Sequence, residues 1–357
     1  MDIVTIKKVI EAALRACTPD NSTIFRYSIS HSTISQPSIT IFYNAEKVSG
    51  KSFPKDDPAI SIALGCVLFN IKACCKSLSL TATVDIAPSE SNPNQLALIS
   101  LSTAMSEQPT TAPIDAIDKR HTDRGAYHKN LSTNDKEDIK RIVFGCAPHH
   151  TVLFKGSDKN KIIKLIQKAS EIRFQVKEIH ALLTHSLRFD NSQPDGLHID
   201  TLALPPGGQY FLKYISNWKN LSFINKIGAY KLLALQETAL LNNSPCLLLL
   251  KGGETKDDFI KSGEDLCNVW TMLNNAGYSV HPYYVIPDIL HRLNNGTLPN
   301  KHVDQAKSLI HDGGNLVKED GNLIYMILRI GKTKKVPVRS TRPTLDSLVS
   351  VEHSSPV

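Results

Sequence analysis

Two stretches of helical sequence decide the fold of this 357-residue chain: "GCVLFNIKACCKSLSL" at residues 65–80 and "GEDLCNVWTMLNNAGY" at residues 263–278. Both begin with glycine and carry asparagine five positions later, within a long helix of apolar periodicity. After each stretch the sequence becomes extended, as "TATVDIAP" and "SVHPYYVIP". We interpret the two stretches as one element of a duplicated unit, with chance similarity of two helices as the alternative.

A second pair of matching segments extends the repeat outward: "ACTPDNSTIF" at residues 16–25 and "GCAPHHTVLF" at residues 145–154. In both copies an amphipathic helical segment comes before a polar loop, and a β-prone run comes after it. The repeat therefore has the order helix, loop, strand, glycine-bearing helix and strand.

This alignment puts His149 and His150 at the places of Asp20 and Asn21. Two adjacent histidines beside Cys146 could also begin a metal site. Because no third histidine or cysteine stands at a usual metal-ligand spacing from them, the sequence predicts a loop of the repeat and no metal.

Composition is that of an ordinary globular protein, with 41% hydrophobic and 21% charged residues. The N-terminal stretch "MDIVTIKKVIEAALRAC" has no uninterrupted apolar block for a signal peptide or a membrane span, so we expect a cytoplasmic protein that does not bind membranes. The seven cysteines lack the spacing of a disulfide framework and lie mostly in apolar runs, which predicts reduced, buried thiols.

The formal net charge of +7 could suggest nucleic acid, but the 41 lysines and arginines are scattered in ones and twos among 34 acidic residues. We therefore expect no nucleic-acid partner. The densest basic cluster, "GKTKKVPVRSTR" at residues 331–342, is interpreted as solvated charge, with a site for one small anion as the alternative.

One arginine-bearing segment has no counterpart in the first copy of the repeat: "IDKRHTDRGAY" at residues 117–127. Arg120 and Arg124 stand four positions apart around Thr122, and guanidinium groups with a hydroxyl suit phosphate and ring-carbonyl oxygens. The alternative is a helix N-terminus whose Arg and Asp side chains form surface salt bridges.

These segments resemble motifs of the FMN-dependent nitroreductase family. "KRHTDRGAY" resembles its N-terminal R-x-[ST]-x-[RK] motif, and "CTPDNSTIFRY" resembles its P-S-x-x-N-x-Q-P-W loop. "SGEDLCNVWTMLNNAGYSVHPY" is similar to its helix with G-x-x-x-x-N, and "RSTRPTLDSLV" to its closing Arg-Leu/Pro segment. With "RFDNSQPDGLHIDTLALPPG", their order along residues 3–349 looks most like the Acg-type members, in which two nitroreductase-like halves are fused.

The resemblance implies an α+β, nitroreductase-like fold in which two related halves form a single-chain pseudodimer, with mixed sheets flanked by long helices. We expect a degenerate half at residues 1–108, a flavin-anchoring half at residues 109–349 and a flexible tail at residues 350–357. The Pro- and Gly-rich insertion at residues 192–207 could cover the flavin as a lid. A monomer would then supply both halves of the site.

The resemblance also implies an FMN site in which the flavin carries the redox chemistry, so no catalytic side chain is expected. The expected cofactor-binding residues are Arg120, His121, Thr122, Arg124 and Arg342, with Thr18, Pro19 and Asn21 from the first half and Pro282, Tyr283 and Tyr284 near the flavin ring.

In the family pattern, Arg120 and Thr122 meet the phosphate or ribityl chain, Arg124 meets the pyrimidine edge and Arg342 closes on the phosphate. Asn21 offers amide hydrogen bonds to the flavin, although Pro, Asp and Asn also favour a plain helix-ending turn. Tyr283 and Tyr284 could equally be packing residues of a partly buried strand.

The predicted function is that of an FMN-dependent NAD(P)H oxidoreductase of nitroreductase type, with ping-pong hydride transfer to a small-molecule electron acceptor and one FMN per chain. The alternatives are a flavin-binding or sequestering protein with little turnover and a flavin-less scaffold relative. Thr23, Ile24 and Phe25 replace the family's Q-P-W, and Ser340 stands where a lysine often joins the phosphate. These departures from the family pattern weaken the prediction of turnover more than the prediction of flavin binding.

Overall fold

The computed structural model describes residues 1–31, 36–86, 92–104 and 112–352. Its helices are α1 (Ile3–Leu14), α2 (Ala45–Val48), α3 (Pro58–Ser77), α4 (Ala112–Lys119), α5 (Thr133–Cys146), α6 (Ser157–Arg173), α7 (Lys177–Ser186), α8 (Gly208–Ile215), α9 (Trp218–Asn225), α10 (Ala229–Asn242), α11 (Lys256–Asn275), α12 (Val285–Asn294) and α13 (Val303–Gly313). Its strands are β1 (Phe25–Ser30), β2 (Ser38–Tyr43), β3 (Leu80–Asp85), β4 (Gln95–Thr103), β5 (His150–Leu153), β6 (Leu187–Arg188), β7 (Leu197–His198), β8 (Cys246–Gly252), β9 (Ser279–Tyr283), β10 (Lys318–Glu319), β11 (Asn322–Gly331) and β12 (Val349–Glu352).

Two sheets repeat one strand order. In the first sheet, β1, β2, β4 and β3 are successive antiparallel neighbours. In the second sheet, β5, β8, β11 and β9 are successive antiparallel neighbours as well. Along the chain, each set consists of two strands, a long helix and two further strands. When the four strands of a set are numbered in chain order, they lie across the sheet in the order 1-2-4-3. The prediction of an α+β fold built from two related halves is confirmed by this shared topology.

The long helices of the two halves, α3 and α11, pack against each other between the sheets. Helix α3 is mostly apolar, with Lys72 and Lys76 exposed near its end, and a helix of this kind is stable only when most of its surface is buried. Asp57 caps its first turn by accepting a hydrogen bond from the amide of Ala59 at 2.9 Å, and Pro58 occupies the first helical position. Helix α11 begins at a capping box formed by Thr255 and Asp258.

Helix α3 is, in the part of the chain that the structure describes, the one helix long and apolar enough to cross a membrane. However, 83% of its apolar window is buried within the protein. This burial is what the core helix of a folded domain shows, and the helix carries no argument for a membrane span.

The second half contains a long insertion between β5 and β8. Helices α6 to α10 and the short pair of strands β6 and β7 lie in this insertion. Helix α6 packs on α10, α12 and α13, and together with the second sheet they enclose a separate apolar core around Ile162, Ile166 and Leu309. This additional layer makes the second half the larger of the two.

The C-terminal strand β12 crosses to the first half and pairs with β1 in parallel, from Tyr27–Val349 to Ser30–Glu352. The predicted flexible tail at residues 350–357 thus begins within a strand, because the backbone of residues 350–352 lies at the edge of the first sheet. Its flexibility stays a prediction. Residues 353–357 lie outside the described part, and so does the predicted boundary between residues 108 and 109. The division into 1–108 and 109–349 stays a prediction.

Candidate functional site

A cavity of about 550 Å³ is lined by residues of both halves. Its volume lies within the roughly 300–1,000 Å³ that small-molecule sites usually occupy. Every residue predicted to bind a cofactor lies in its wall: Thr18, Pro19, Asn21, Arg120, His121, Thr122, Arg124, Pro282, Tyr283, Tyr284 and Arg342. Residues from four distant parts of the chain are thus brought to one place.

One end of the cavity is strongly cationic. Arg120 donates from Nη2 to the carbonyl oxygen of Arg15, and Arg342 donates from Nη2 to that of Ala16 at 2.9 Å. The carbonyl groups at the end of α1 thereby hold both guanidinium groups in place. Burial, followed by the like charge of Arg120, lowers the pKa of Arg342, so a bound anion would stabilise this end of the cavity.

The Arg120 guanidinium is also held by an aromatic ring. It lies 5.1 Å from the ring centroid of Trp270 on α11, a cation–π distance. The Trp270 indole in turn donates from Nε1 to the carbonyl oxygen of His121 at 3.0 Å. The His121 amide donates to Oδ1 of Asn274 at 2.8 Å, so α11 fixes the backbone of the arginine segment.

The loop after α1 ends in a 3₁₀ turn at Pro19–Asn21, where Asp20 and Asn21 adopt left-handed backbone conformations with φ of 50° and 58°. Asn and Asp tolerate this conformation better than other residues with a side chain. The Thr18 hydroxyl donates to the carbonyl oxygen of Ser22 at 2.9 Å and so closes the turn. The turn expected as the alternative interpretation is therefore present, and it also forms part of the cavity wall.

Asn21 joins this turn to two late segments of the chain. Its Nδ2 donates to the carbonyl oxygens of Gly196 and Thr341, at 3.0 and 3.1 Å. Its Oδ1 is buried and has no hydrogen-bond partner among the described residues. Because Nδ2 is fully used, Oδ1 is the atom of Asn21 that remains for a ligand N–H.

Arg124 and Asp20 lie on the same wall. Burial lowers the pKa of Arg124, and the charge of Asp20 opposes this effect. Burial likewise raises the pKa of Asp20, against the charge of Arg124. Since each charge stabilises the other, Asp20 helps to keep the half-buried Arg124 guanidinium charged in the cavity wall.

The segment after β9 contributes aromatic groups. The Tyr283 ring lies 4.6 Å from that of His281, and the Tyr284 ring meets Phe53 edge-on at 6.0 Å. Both tyrosines thus pack against neighbours, as the alternative interpretation proposed, while they also line the cavity. Burial and the charges of Arg329 and Arg124 lower the pKa of His281 well below its usual range, so this imidazole is neutral.

The predicted insertion at residues 192–207 is tied to the first half. Asp195 accepts a hydrogen bond from the Thr23 hydroxyl at 2.6 Å, and its carboxylate lies 3.2 Å from the ammonium of Lys47. The Gly196 amide donates to the carbonyl oxygen of Asn21 at 3.0 Å. Leu197 and Leu202 of this segment line the cavity, together with apolar residues of α7, α8 and α10. The insertion therefore covers one side of the cavity.

His149 and His150 lie elsewhere. Among the described residues that form the cavity wall, none comes from positions 146–150. His150 opens β5 and its Nδ1 lies 2.7 Å from the carbonyl oxygen of Ala147, whereas Asn21 closes a left-handed turn. The two loops matched in the sequence thus differ in conformation at this position, and the absence of a metal there stays a prediction.

Several lining residues were missed by the sequence analysis: Arg15, Cys17, Asp20, Cys66, Arg173, Trp270, His281 and Arg339. His281 directly precedes the predicted Pro282, so the same segment could have indicated it. Arg15 and Arg173 stand at or beside helix ends with ordinary amphipathic patterns. Their place in the cavity depends on how the helices pack, and no local pattern encodes it.

Comparison with known proteins gives likeness in structure only. No protein-family model matches the sequence, and no curated protein matches it significantly. A similar solved structure is the FMN-dependent nitroreductase NfnB from Mycobacterium smegmatis in complex with NADPH, at 12% identity and a TM-score of 0.40, over 68% of this chain and 99% of that one.

Two further similar structures have comparable scores. A nitroreductase with bound FMN from Bacteroides fragilis matches at 10% identity and a TM-score of 0.37, over 67% of this chain and 98% of that one. A nitroreductase-like family protein from Bacillus cereus matches at 11% identity and a TM-score of 0.36, over 70% of this chain and 100% of that one.

Proposed function

We propose that this protein is an FMN-dependent oxidoreductase of nitroreductase type, which binds one FMN per chain and passes hydride from NAD(P)H to a small-molecule electron acceptor. The proposal depends on one observation: Arg120, Arg342 and the turn that contains Asn21 all line the same cavity. These residues are also the ones that the sequence resemblance implies for a flavin site.

The residues present fit FMN. Three guanidinium groups, those of Arg15, Arg120 and Arg342, line the cavity at the end suited to a phosphate. Four lining residues contain a buried polar atom without a hydrogen-bond partner in the described part of the chain: Asn21 Oδ1, Arg120 Nε, Arg173 Nε and His281 Nδ1. Buried polar atoms are rarely left unpaired in native proteins, which supports a polar ligand at this place.

FMN, when bound, supplies the two-electron redox chemistry, and the protein holds and surrounds it. Arg120 and Arg342 would bind the phosphate, since guanidinium forks match phosphate oxygens. Arg124 would place a positive charge near the ring edge and favour negative charge there. The apolar side chains of α7 and α8 that line the cavity would exclude water from the reacting face.

The shared topology of the two sheets supports a further part of this proposal, that the halves derive from an internal duplication of the Acg type. The first half would supply the Asn21 turn and the second half the arginine segment, so that one chain would contain both parts of the site. We therefore expect flavin binding and turnover by the monomer.

The test is flavin stoichiometry followed by turnover. Purified protein supplied with FMN should show flavin absorbance bands at about one FMN per chain after gel filtration, and should oxidise NADPH or NADH in the presence of a quinone or nitroaromatic acceptor. The Arg141→Ala variant is a matched control, because its side chain is an exposed arginine on α5.

The outcomes separate the alternatives. Stoichiometric FMN without NAD(P)H oxidation would favour a flavin-sequestering protein, and the absence of flavin bands at saturating FMN would favour a flavin-less scaffold. A stoichiometry near two would contradict the single site.

A further inference from the structure

Three cysteines from three different elements meet beneath the cationic end of the cavity. Cys17 follows α1, Cys66 lies on α3 and Cys267 lies on α11, and their sulfur atoms are within 4.8 Å of one another. Cys66 and Cys267 are fully buried. The closest pair is Cys17 and Cys66, with the two Sγ atoms 3.1 Å apart.

Of the three cysteines, Cys17 can be reached from the cavity. Cys17 and Cys66 both form part of its wall, and Cys17 is partly exposed. A small reagent that enters the cavity therefore reaches Cys17, whose sulfur atom is already in contact with that of the fully buried Cys66.

The surroundings give the sulfur atoms different roles. Cys267 Sγ lies 3.3 Å from Oδ1 of Asn70, and that oxygen is fixed because the Asn70 amide donates from Nδ2 to the carbonyl oxygen of Ala12. Cys66 Sγ lies 3.2 Å from the carbonyl oxygen of Gly263. The single S–H of Cys66 and that of Cys267 each have both an acceptor oxygen and the Cys17 sulfur nearby.

Cys17 has the opposite environment. Hydrogen bonds from Cys267 and Cys66, and then the charges of Arg120 and Arg342, lower the pKa of Cys17 well below its usual range. Burial raises the pKa of Cys66. These surroundings favour the thiolate of Cys17, which is the nucleophilic form of cysteine, beside the thiol of Cys66.

We propose that Cys17 and Cys66 form a redox-active dithiol in the cavity wall, which a hydroperoxide oxidises to a disulfide. The Cys17 thiolate attacks one oxygen of the peroxide and forms an S–O bond, while the O–O bond breaks and the leaving oxygen takes a proton to become an alcohol, or water from hydrogen peroxide. Cys66 then attacks Cys17 Sγ, an S–S bond forms and the S–O bond breaks. The proton from Cys66 leaves with the hydroxide as water.

Over both steps, two thiols and one hydroperoxide give one disulfide, one alcohol and one water. Cys66 is the resolving cysteine because its Sγ atom lies 3.1 Å from that of Cys17. The proposal concerns these side chains alone and holds whether or not the cavity binds FMN.

The test begins with purified wild-type protein whose cysteine thiols are reduced. It is treated with one equivalent of hydrogen peroxide, blocked with N-ethylmaleimide and analysed by peptide mass mapping. We expect a cross-link between the peptides that contain Cys17 and Cys66, reversed by dithiothreitol. In Cys66→Ser, Cys17 should instead be trapped by dimedone as a sulfenic acid, and Cys17→Ser should form neither product.

Cys146→Ser is the matched control, because Cys146 is also a half-buried cysteine but burial raises its pKa to about 11. This variant should form the Cys17–Cys66 cross-link as the wild type does. In the reduced wild type at pH 7, Cys17 should react with iodoacetamide about tenfold faster than Cys146, since the thiolate is the reacting form.

Three results would overturn the proposal. The first is an intact dithiol after peroxide treatment in protein whose circular dichroism shows a folded state. The second is a cross-link between Cys66 and Cys267 instead. The third is binding of one Zn²⁺ or Cu⁺ per chain that protects all three cysteines and is lost in Cys267→Ser, which would make the cluster a thiolate metal site.

Discussion

Gly65 and Gly263 face each other where α3 crosses α11. A methyl group on Gly65 would lie 1.9 Å from the carbonyl oxygen of Ile260 and 2.9 Å from Cα of Gly263. A methyl group on Gly263 would lie 2.0 Å from the carbonyl oxygen of Ile62. The neighbouring atoms are backbone, which cannot rotate away as a side chain can, so the two halves pack closely only because both positions are glycine.

Gly65→Ala and Gly263→Ala should each destabilise the protein by about 1–3 kcal/mol or more, the usual cost of overpacking a tight core. Thermal or urea unfolding measures this change. Gly145→Ala is the control, because Gly145 lies on helix α5 with open space around its Cα. It should be neutral or should stabilise by about 0.4–1 kcal/mol. Equal stabilities of all three variants would contradict the close crossing.

The affinity for FMN should depend on the arginines at the cationic end of the cavity. Arg120→Ala or Arg342→Ala should weaken FMN binding by about 1.5–3 kcal/mol, the scale of hydrogen bonds to charged groups. Quenching of flavin fluorescence gives the dissociation constants. Arg141→Ala should bind FMN as the wild type does. If both cavity variants do so too, the phosphate site lies elsewhere.

The two matched loops predict opposite mutational effects. Asn21→Gly preserves the left-handed turn but removes the amide that holds the segments at Gly196 and Thr341. Flavin content should fall, and limited proteolysis near residues 192–207 should become faster. The double variant His149→Ala, His150→Ala should change neither measurement. Stoichiometric metal in the wild type that disappears with the two histidines would contradict this interpretation of the loop.

Asp57 predicts a pH dependence of stability. Burial raises the pKa of this carboxyl from 3.8 to about 6, against the charge of Arg292. The folded state therefore binds the proton more tightly than the unfolded state. Protonation of Asp57 therefore stabilises the folded state fully below about pH 4, and this contribution is lost as the pH rises through about 6.

Asp57→Asn keeps a capping side chain at α3 and removes the buried charge. At pH 7 the variant should be more stable than the wild type by about 1–3 kcal/mol, and the difference should shrink towards pH 4. Urea unfolding between pH 4 and 7.5 measures it. Asp2→Asn, at the exposed cap of α1, should show no such gain, since a hydrogen bond from Thr5 lowers the pKa of Asp2. A difference that is constant with pH would contradict the raised pKa of Asp57.

The sequence predicted the architecture well because the repeat is a local pattern. Gly65 and Gly263 were matched from their helices alone, and they meet at the crossing of those helices. The candidate site was predicted as a set of residues through motif resemblance, and the structure brings that set to one cavity.

What the sequence did not predict depends on packing between distant elements. The cysteines were expected to be buried thiols, but the contact of Cys17, Cys66 and Cys267 needs the end of α1 to meet both central helices at once. Residues 350–352 were assigned to a tail, because a short run of alternating apolar and polar residues does not specify its partner strand. In the structure that partner is β1, at the opposite end of the chain.

The pairing of β12 with β1 has a consequence for synthesis on the ribosome. The Ser350 hydroxyl donates to the carbonyl oxygen of Tyr27, 323 positions earlier in the chain. At roughly 5–20 residues per second, translation leaves the outer edge of β1 unpaired for tens of seconds. An open strand edge is a template for pairing with other chains. The nascent protein is therefore expected to be most prone to aggregation, and most dependent on chaperones, until β12 has emerged.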